Sequence, residues 1–225
     1  MFSVMAETLE RLRHRYAEPH RAYHGRSHID AMLAGLTNCR HLLASPEAVE
    51  LAIWFHDAIY DPAAQDNEAR SADLLLTELT GRADAALLAR AATMIHATTT
   101  HAVLPGLQPD LRRDTALFLD LDLSVLGADP ATYDAYERGI AAEYVPVHGQ
   151  ARFLTGRQAF LKALLDRPRL FLTDESHDRL DAPARGNIDR TIRAMAGRLS
   201  RSPPAPPPVV SCQARATKAH AGSTR

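Results

Sequence analysis

The sequence predicts an all-α fold, and three observations carry that expectation. Apolar residues recur at helical spacing through most of the 225 positions, no period-two stretch of any length appears, and helix-start signals are frequent. With 46% hydrophobic residues the chain can close one sizeable core, so a single domain over 1–200 is expected. The expected helices run at about 3–16, 27–43, 46–58, 67–80, 84–98, 111–127, 130–144, 149–166 and 181–199. Ser45-Pro46-Glu47 starts the third with a capping residue and a proline in the first turn, and Asp129-Pro130 starts the seventh in the same way. Residues 168–180 read as the longest irregular connection. After Ser200 the composition turns to Arg201-Ser202-Pro203-Pro204-Ala205-Pro206-Pro207-Pro208 and then to small polar and basic residues. Such sequence cannot bury enough apolar surface to offset chain entropy, so 201–225 is expected to be a disordered proline-rich tail.

Lys plus Arg number 26 against 27 Asp plus Glu, which leaves no global field to recruit DNA or an anionic membrane; a phosphate site would have to be local. Cys39 and Cys212 make neither a disulfide framework nor a metal spacing, which suits a reducing compartment. Charge interrupts the N-terminal stretch too early for a signal peptide, and no apolar run approaches a membrane span. A cytoplasmic protein is expected, with no DNA or membrane partner and with room for a homo-oligomer.

His56-Asp57 stands inside the apolar run Leu51-Ala52-Ile53-Trp54-Phe55-His56-Asp57-Ala58-Ile59-Tyr60. An imidazole and a carboxylate are costly to bury unless something binds them, and the mixture is one that Mn, Fe, Zn and related ions accept. Upstream lies Tyr23-His24-Gly25-Arg26-Ser27-His28-Ile29; downstream lies Phe118-Leu119-Asp120-Leu121-Asp122-Leu123-Ser124-Val125-Leu126-Gly127. Together these set His, His-Asp and Asp on three helices.

In that order and separation the chain resembles the HD superfamily of metal-dependent phosphohydrolases, and within it a bacterial subgroup of predicted phosphohydrolases. The resemblance runs from Leu12 to Leu199 and includes Arg15 to His24, Trp54 to Asp61, Asn67-Glu68 with Ser71-Ala72, Ala97-Thr98 with His101, Glu143-Tyr144, Gly156-Arg157, and Ala184-Arg185 with Asn187. The chain departs from the subgroup at Ala141-Ala142, where an arginine is usual, and at Asp181, where a glutamate is usual. The resemblance implies an HD-type helical bundle of about eight or nine helices. It also implies metal ligands at His28, His56, Asp57 and an aspartate of the Asp120/Asp122 pair. One or two divalent ions (Mn, Fe, Mg, Co, Ni or Zn) would activate water against a phosphoester of a small, nucleotide-like metabolite.

Carboxylates two apart on a helix point roughly 200° apart, so Asp120 and Asp122 cannot both reach one ion. Asp122 shares the Phe118-Val125-Leu126 face, expected to be buried, and is favoured as ligand, with Asp120 as alternative or supporting carboxylate. Tyr23-His24 before His28 also looks like the entry motif of cyclic-nucleotide phosphodiesterases, which would make His24 a general acid. Glu68 reads as an orienting group for a ligand histidine or as a base, against an ordinary first-turn carboxylate. His101, after Thr98-Thr99-Thr100, is preferred to His96 as an additional ligand. Arg26, Arg157 and Arg185 are candidate phosphate contacts, although ion pairs are the simpler role for the last two. His14, His20, His41, His148, His177 and His220 read as surface or packing residues. Two other classes share these ligands: a di-iron oxygenase and a catalytically idle nucleotide-binding module.

Overall fold

The computed structural model describes the backbone of residues 2–199 and the side chains of residues 6–197. Among the described residues there are nine α-helices and no strand. They are α1 (Phe2–Arg15), α2 (Arg26–Cys39), α3 (Pro46–Phe55), α4 (Asn67–Leu79), α5 (Ala85–Ala97), α6 (Pro109–Asp122), α7 (Pro130–His148), α8 (Gln150–Leu165) and α9 (Asp174–Leu199). Among the described residues no helix is long and apolar enough to cross a membrane. The proline-rich segment 201–225, expected to be disordered, lies outside the described residues.

Where the sequence carries a start signal the helices begin at the expected residues, although the Ser45 side chain, read as the cap of the third, makes no capping hydrogen bond. Pro46 and Pro130 open α3 and α7, and the Asp129 side chain accepts hydrogen bonds from the Ala131 and Thr132 amides. Pro109 opens α6 by the same device, earlier than the apolar pattern suggests. Several ends differ from expectation. The helix predicted over 111–127 stops at Asp122 and tightens into a 3-10 turn, Leu123–Gly127. The one predicted over 130–144 runs on to His148 through Pro146, and Gly149, at φ 77°, closes it. The last begins at Asp174 rather than near 181, and Pro183 lies within it. Asp120, far away in sequence, accepts the Leu172 and Thr173 amides and Asp181 of α9 itself accepts the Leu170 amide, so the connection before this helix, irregular as expected but confined to 166–173 and shorter than the one over 56–66, is pinned to helices.

Two apolar cores result. The first gathers buried residues from α1 to α6, including Ile29, Met32, Ile53, Phe55, Leu75, Ile95 and Phe118. The second gathers the 3-10 turn with α7, α8 and α9 around Leu126, Tyr133, Leu161, Phe171 and Ile188. Gly127 sits where the turn meets α9, and a Cβ there would lie 2.9 Å from the Leu180 carbonyl oxygen, too close for any side chain without a backbone shift. The chemistry-bearing side chains collect where the two cores meet.

Candidate metal centre

The apolar helix α3 ends at Phe55, so His56 and Asp57 fall on the turn that leaves it. His56 still bonds its amide to the Ala52 carbonyl, and its Nδ1 lies 2.9 Å from the Ile53 carbonyl oxygen. That bond fixes Nδ1 as a donor and turns Nε2 inward, the usual support for a ligating imidazole. His28, in the first turn of α2, places its Nε2 3.2 Å from His56 Nε2. Asp122, the last residue of α6, brings Oδ1 to 3.2 Å from His28 Nε2 and 3.7 Å from His56 Nε2.

One ligand atom from each of His28, His56 and Asp122 lies within 4.8 Å of the others, a group able to hold a metal ion. Atoms bound to a common ion at about 2.0–2.2 Å sit roughly 3–4 Å apart, so little movement is required. Asp57 joins the group with Oδ2 at 3.1 Å from His56 Nε2 and 3.9 Å from His28 Nε2. His101 Nε2 stands 3.2 Å from the other Asp122 oxygen, and its backbone, at φ 47°, takes the left-handed conformation that non-glycine residues seldom adopt. His96 is exposed, in keeping with the preference for His101.

The electrostatics suit a cation. Burial opposes protonation of His56, yet Asp57 and Asp122 outweigh it and raise the imidazole to about 9. Burial likewise works against ionisation of both aspartates, and the histidines around them hold the two carboxyls well below the usual carboxylate range. Carboxylates kept ionised and imidazole nitrogens facing one another form a donor set that a divalent ion satisfies.

Asp120 departs from its expected place. Its carboxylate accepts the Leu172 amide at 2.6 Å, the Thr173 amide at 2.8 Å and the Thr173 hydroxyl at 2.6 Å, which commits it to the start of α9 rather than to an ion. It is also the more buried of the pair, the reverse of the burial argument that favoured Asp122. The helical-phase argument holds, because the two carboxylates point apart.

A cavity of about 510 Å³ opens over the cluster, walled by Tyr60, Tyr136, Tyr144, Phe153 and Phe160, with His24, Glu68, Arg152 and Arg157 on its lining. The His24 ring is held by Glu143 of α7. Oε1 accepts the Tyr23 amide at 2.7 Å and the His24 amide at 2.9 Å, while Oε2 takes His24 Nδ1 at 2.6 Å and the Tyr60 hydroxyl at 2.7 Å. Burial would raise the Glu143 carboxyl, but the His24, Tyr23 and Tyr60 contacts prevail and lower it to about 2. Gly139, one turn earlier in α7, permits this approach: a Cβ there would come to 3.0 Å from Tyr23 Cβ.

The sequence reading passed over the role of Glu143, although its spacing from Tyr136 and Ile140 put a carboxylate on a buried helix face. It also passed over Arg21. That guanidinium, with its side chain 1% exposed, donates to the Asp57 carbonyl at 2.7 Å, the Ala58 carbonyl at 3.3 Å and the His24 carbonyl at 3.0 Å. It locks the metal turn to the His24 segment.

Two of the expected phosphate contacts are elsewhere. Arg26 pairs with Asp30 and lies over the Trp54 ring, outside the cavity. Arg185 is spent on Asp181 and the carbonyls of Leu165, Arg167 and Pro168. Arg157 does line the cavity, but Glu137 and the Tyr136 hydroxyl already engage it. Glu68 lines the cavity, and no hydrogen bond joins it to a histidine among the described residues. His148, read from sequence as surface or packing, also lines the cavity, with Nε2 2.8 Å from the Pro62 carbonyl oxygen.

Comparisons of the chain with models of known protein families, with curated proteins and with solved structures return no match.

Proposed function

We propose that this chain is a metal-dependent phosphohydrolase of the HD type, acting on a phosphoester of a small phosphorylated metabolite. The observation that carries the reading is the convergence of His28, His56, Asp57 and Asp122 from three separate helices beneath a cavity whose lining includes a carboxylate-held histidine. An ion held by those four residues, with His101 beside Asp122, would supply the charge that acidifies a water molecule and neutralises phosphoryl oxygens.

The chain's own groups account for the remaining requirements. Glu143 fixes the His24 ring through Nδ1, which leaves Nε2 to hand a proton to the departing oxygen. Tyr60 stacks on the His24 ring at 4.4 Å between centroids and caps the same carboxylate, so the acid keeps one orientation. Glu68 stands on the cavity wall as a proton acceptor. The aromatic walls suit a flat, nucleotide-like leaving portion.

The test is a panel of phosphomonoesters and phosphodiesters assayed with Mn, Mg, Co, Ni, Fe and Zn, together with metal analysis of the purified protein. Wild type should release phosphate or an alcohol with at least one of these metals, and Asp57→Asn should abolish the reaction. Oxygen consumption by the iron-loaded protein with no hydrolysis would place the site in the oxygenase class instead. Tight nucleotide binding with neither reaction would make it an idle module.

A further inference from the structure

A second cavity of about 990 Å³ lies between α2, α6 and the start of α9. Among the described residues only His101 lines both cavities. Leu117, Leu121 and Leu172 contribute apolar surface to the second, and its charge comes from Arg112, Arg113, Arg167, Arg169 and Arg179 against Asp174 and Glu175 alone. In a chain of net charge −1 this is a local concentration of cations.

Most of that charge is uncompensated. Arg112 and Arg179 are exposed and make no side-chain hydrogen bond or ion pair among the described residues. Arg113 donates to the Leu42 carbonyl, and Arg167 donates to the Thr100 and His101 carbonyls at 2.9 and 2.8 Å; neutral acceptors leave both guanidinium charges in place. Arg169 pairs with Asp174 at 2.9 Å, yet its Nε is buried without a hydrogen-bond partner.

We propose that this groove is a second ligand site, for a small molecule carrying two or more phosphate groups. Guanidinium forks match phosphate oxygens bidentately, and the leucine surface accepts an apolar or planar portion of the same ligand. The volume is that of a small-molecule site, and the balanced charge of the whole chain lacks the extended field that a nucleic-acid polymer uses. Position gives the site a consequence. Arg167 holds the strained His101 backbone by its carbonyl while the His101 ring rests on Asp122, so a ligand that draws Arg167 away alters the hold on a metal-cluster residue. The assignment stands independently of the phosphohydrolase reading.

Calorimetric titration of the full chain with inorganic triphosphate tests it, using wild type, the double variant Arg112→Gln/Arg179→Gln, and His56→Ala. Wild type and His56→Ala should bind alike, and the double variant should bind at least about tenfold more weakly, a loss of roughly 1.4 kcal/mol. Both arginines are exposed, and circular dichroism checks that the variant stays folded. Absence of binding by wild type, equal binding by the double variant, or loss confined to His56→Ala would each overturn the groove site. Tighter binding of a single-stranded oligonucleotide than of triphosphate would overturn the small-ligand assignment.

Discussion

Two aspartates that stand two residues apart in one helix do unrelated work, and substitution should separate them. Asp122→Ala removes a carboxylate that touches His28 and His101, so bound metal should be lost while the fold persists. Asp120→Ala strips the Leu172 and Thr173 amides of their acceptor, and buried donors left unmet cost about 1–3 kcal/mol each. It should lower the melting temperature and spare metal content, both measured on the same preparations. Glu143→Gln is the matching experiment for His24. It keeps an oxygen near the Tyr23 and His24 amides but loses the charge at His24 Nδ1, so turnover should fall by roughly 10²-fold with metal stoichiometry unchanged. A pH profile of kcat that shifts together with the fall assigns the loss to His24; an unshifted profile makes Glu143 merely structural.

At the scale of elements, one device recurs. Asp114 accepts the Ala44 and Ser45 amides, Asp120 those of Leu172 and Thr173, Asp181 that of Leu170, and Glu143 those of Tyr23 and His24. Each time a carboxylate on a helix grips the backbone of a connection, and in every case but Asp181 that connection is more than fifty positions away. Asp114 is fully buried and also pairs with Arg90 at 3.0 Å, so Asp114→Ala should cost about 3–5 kcal/mol in urea unfolding, the range for breaking a buried charge pair. This device also explains what the sequence could and could not disclose. Starts of α3 and α7 were legible because each carries a local proline, Pro46 or Pro130, whereas α9 has no such signal and the backbone before it is held by Asp120, more than fifty positions away. In the candidate cluster, His56, Asp57 and Asp122 stood out as polar groups in apolar runs, whereas His28, which follows Gly25-Arg26-Ser27, was marked only by the family resemblance. Glu143 and Arg21 were not legible, because their importance comes from what they touch: two amides and a ring in one case, three carbonyls in the other.

For the whole molecule, an ion held by the candidate cluster would tie α2, the end of α3 and the end of α6 together around the first core. A ligand that binds only the folded state at a hundredfold excess over its Kd adds about 2.7 kcal/mol. For a chain of this size that corresponds to a rise of roughly 5–10 °C in melting temperature. Adding Mn or Zn to chelator-treated protein should produce such a rise, and His56→Ala should abolish it. Acid should act on the junction between the cores. The Glu143 carboxyl falls from 4.5 to about 2 on folding, so its contribution is complete above pH 4.5 and disappears as the pH drops towards 2. Chemical denaturation of chelator-treated protein across that window should show wild type losing stability more steeply than Glu143→Gln.

The meeting of two cores at one cavity also divides the labour of variation. His28, His56, Asp57 and Asp122 belong to segments around the first core, whereas Tyr136, Tyr144, Arg152 and Phe160 reach the cavity from α7 and α8, which pack in the second. Changes in α7 and α8 can therefore reshape what the cavity admits without disturbing the donor set beneath it. A library confined to those four positions should yield variants with altered substrate preference at nearly constant metal content, and the same number of changes around α2 and α3 should yield mostly metal-free protein.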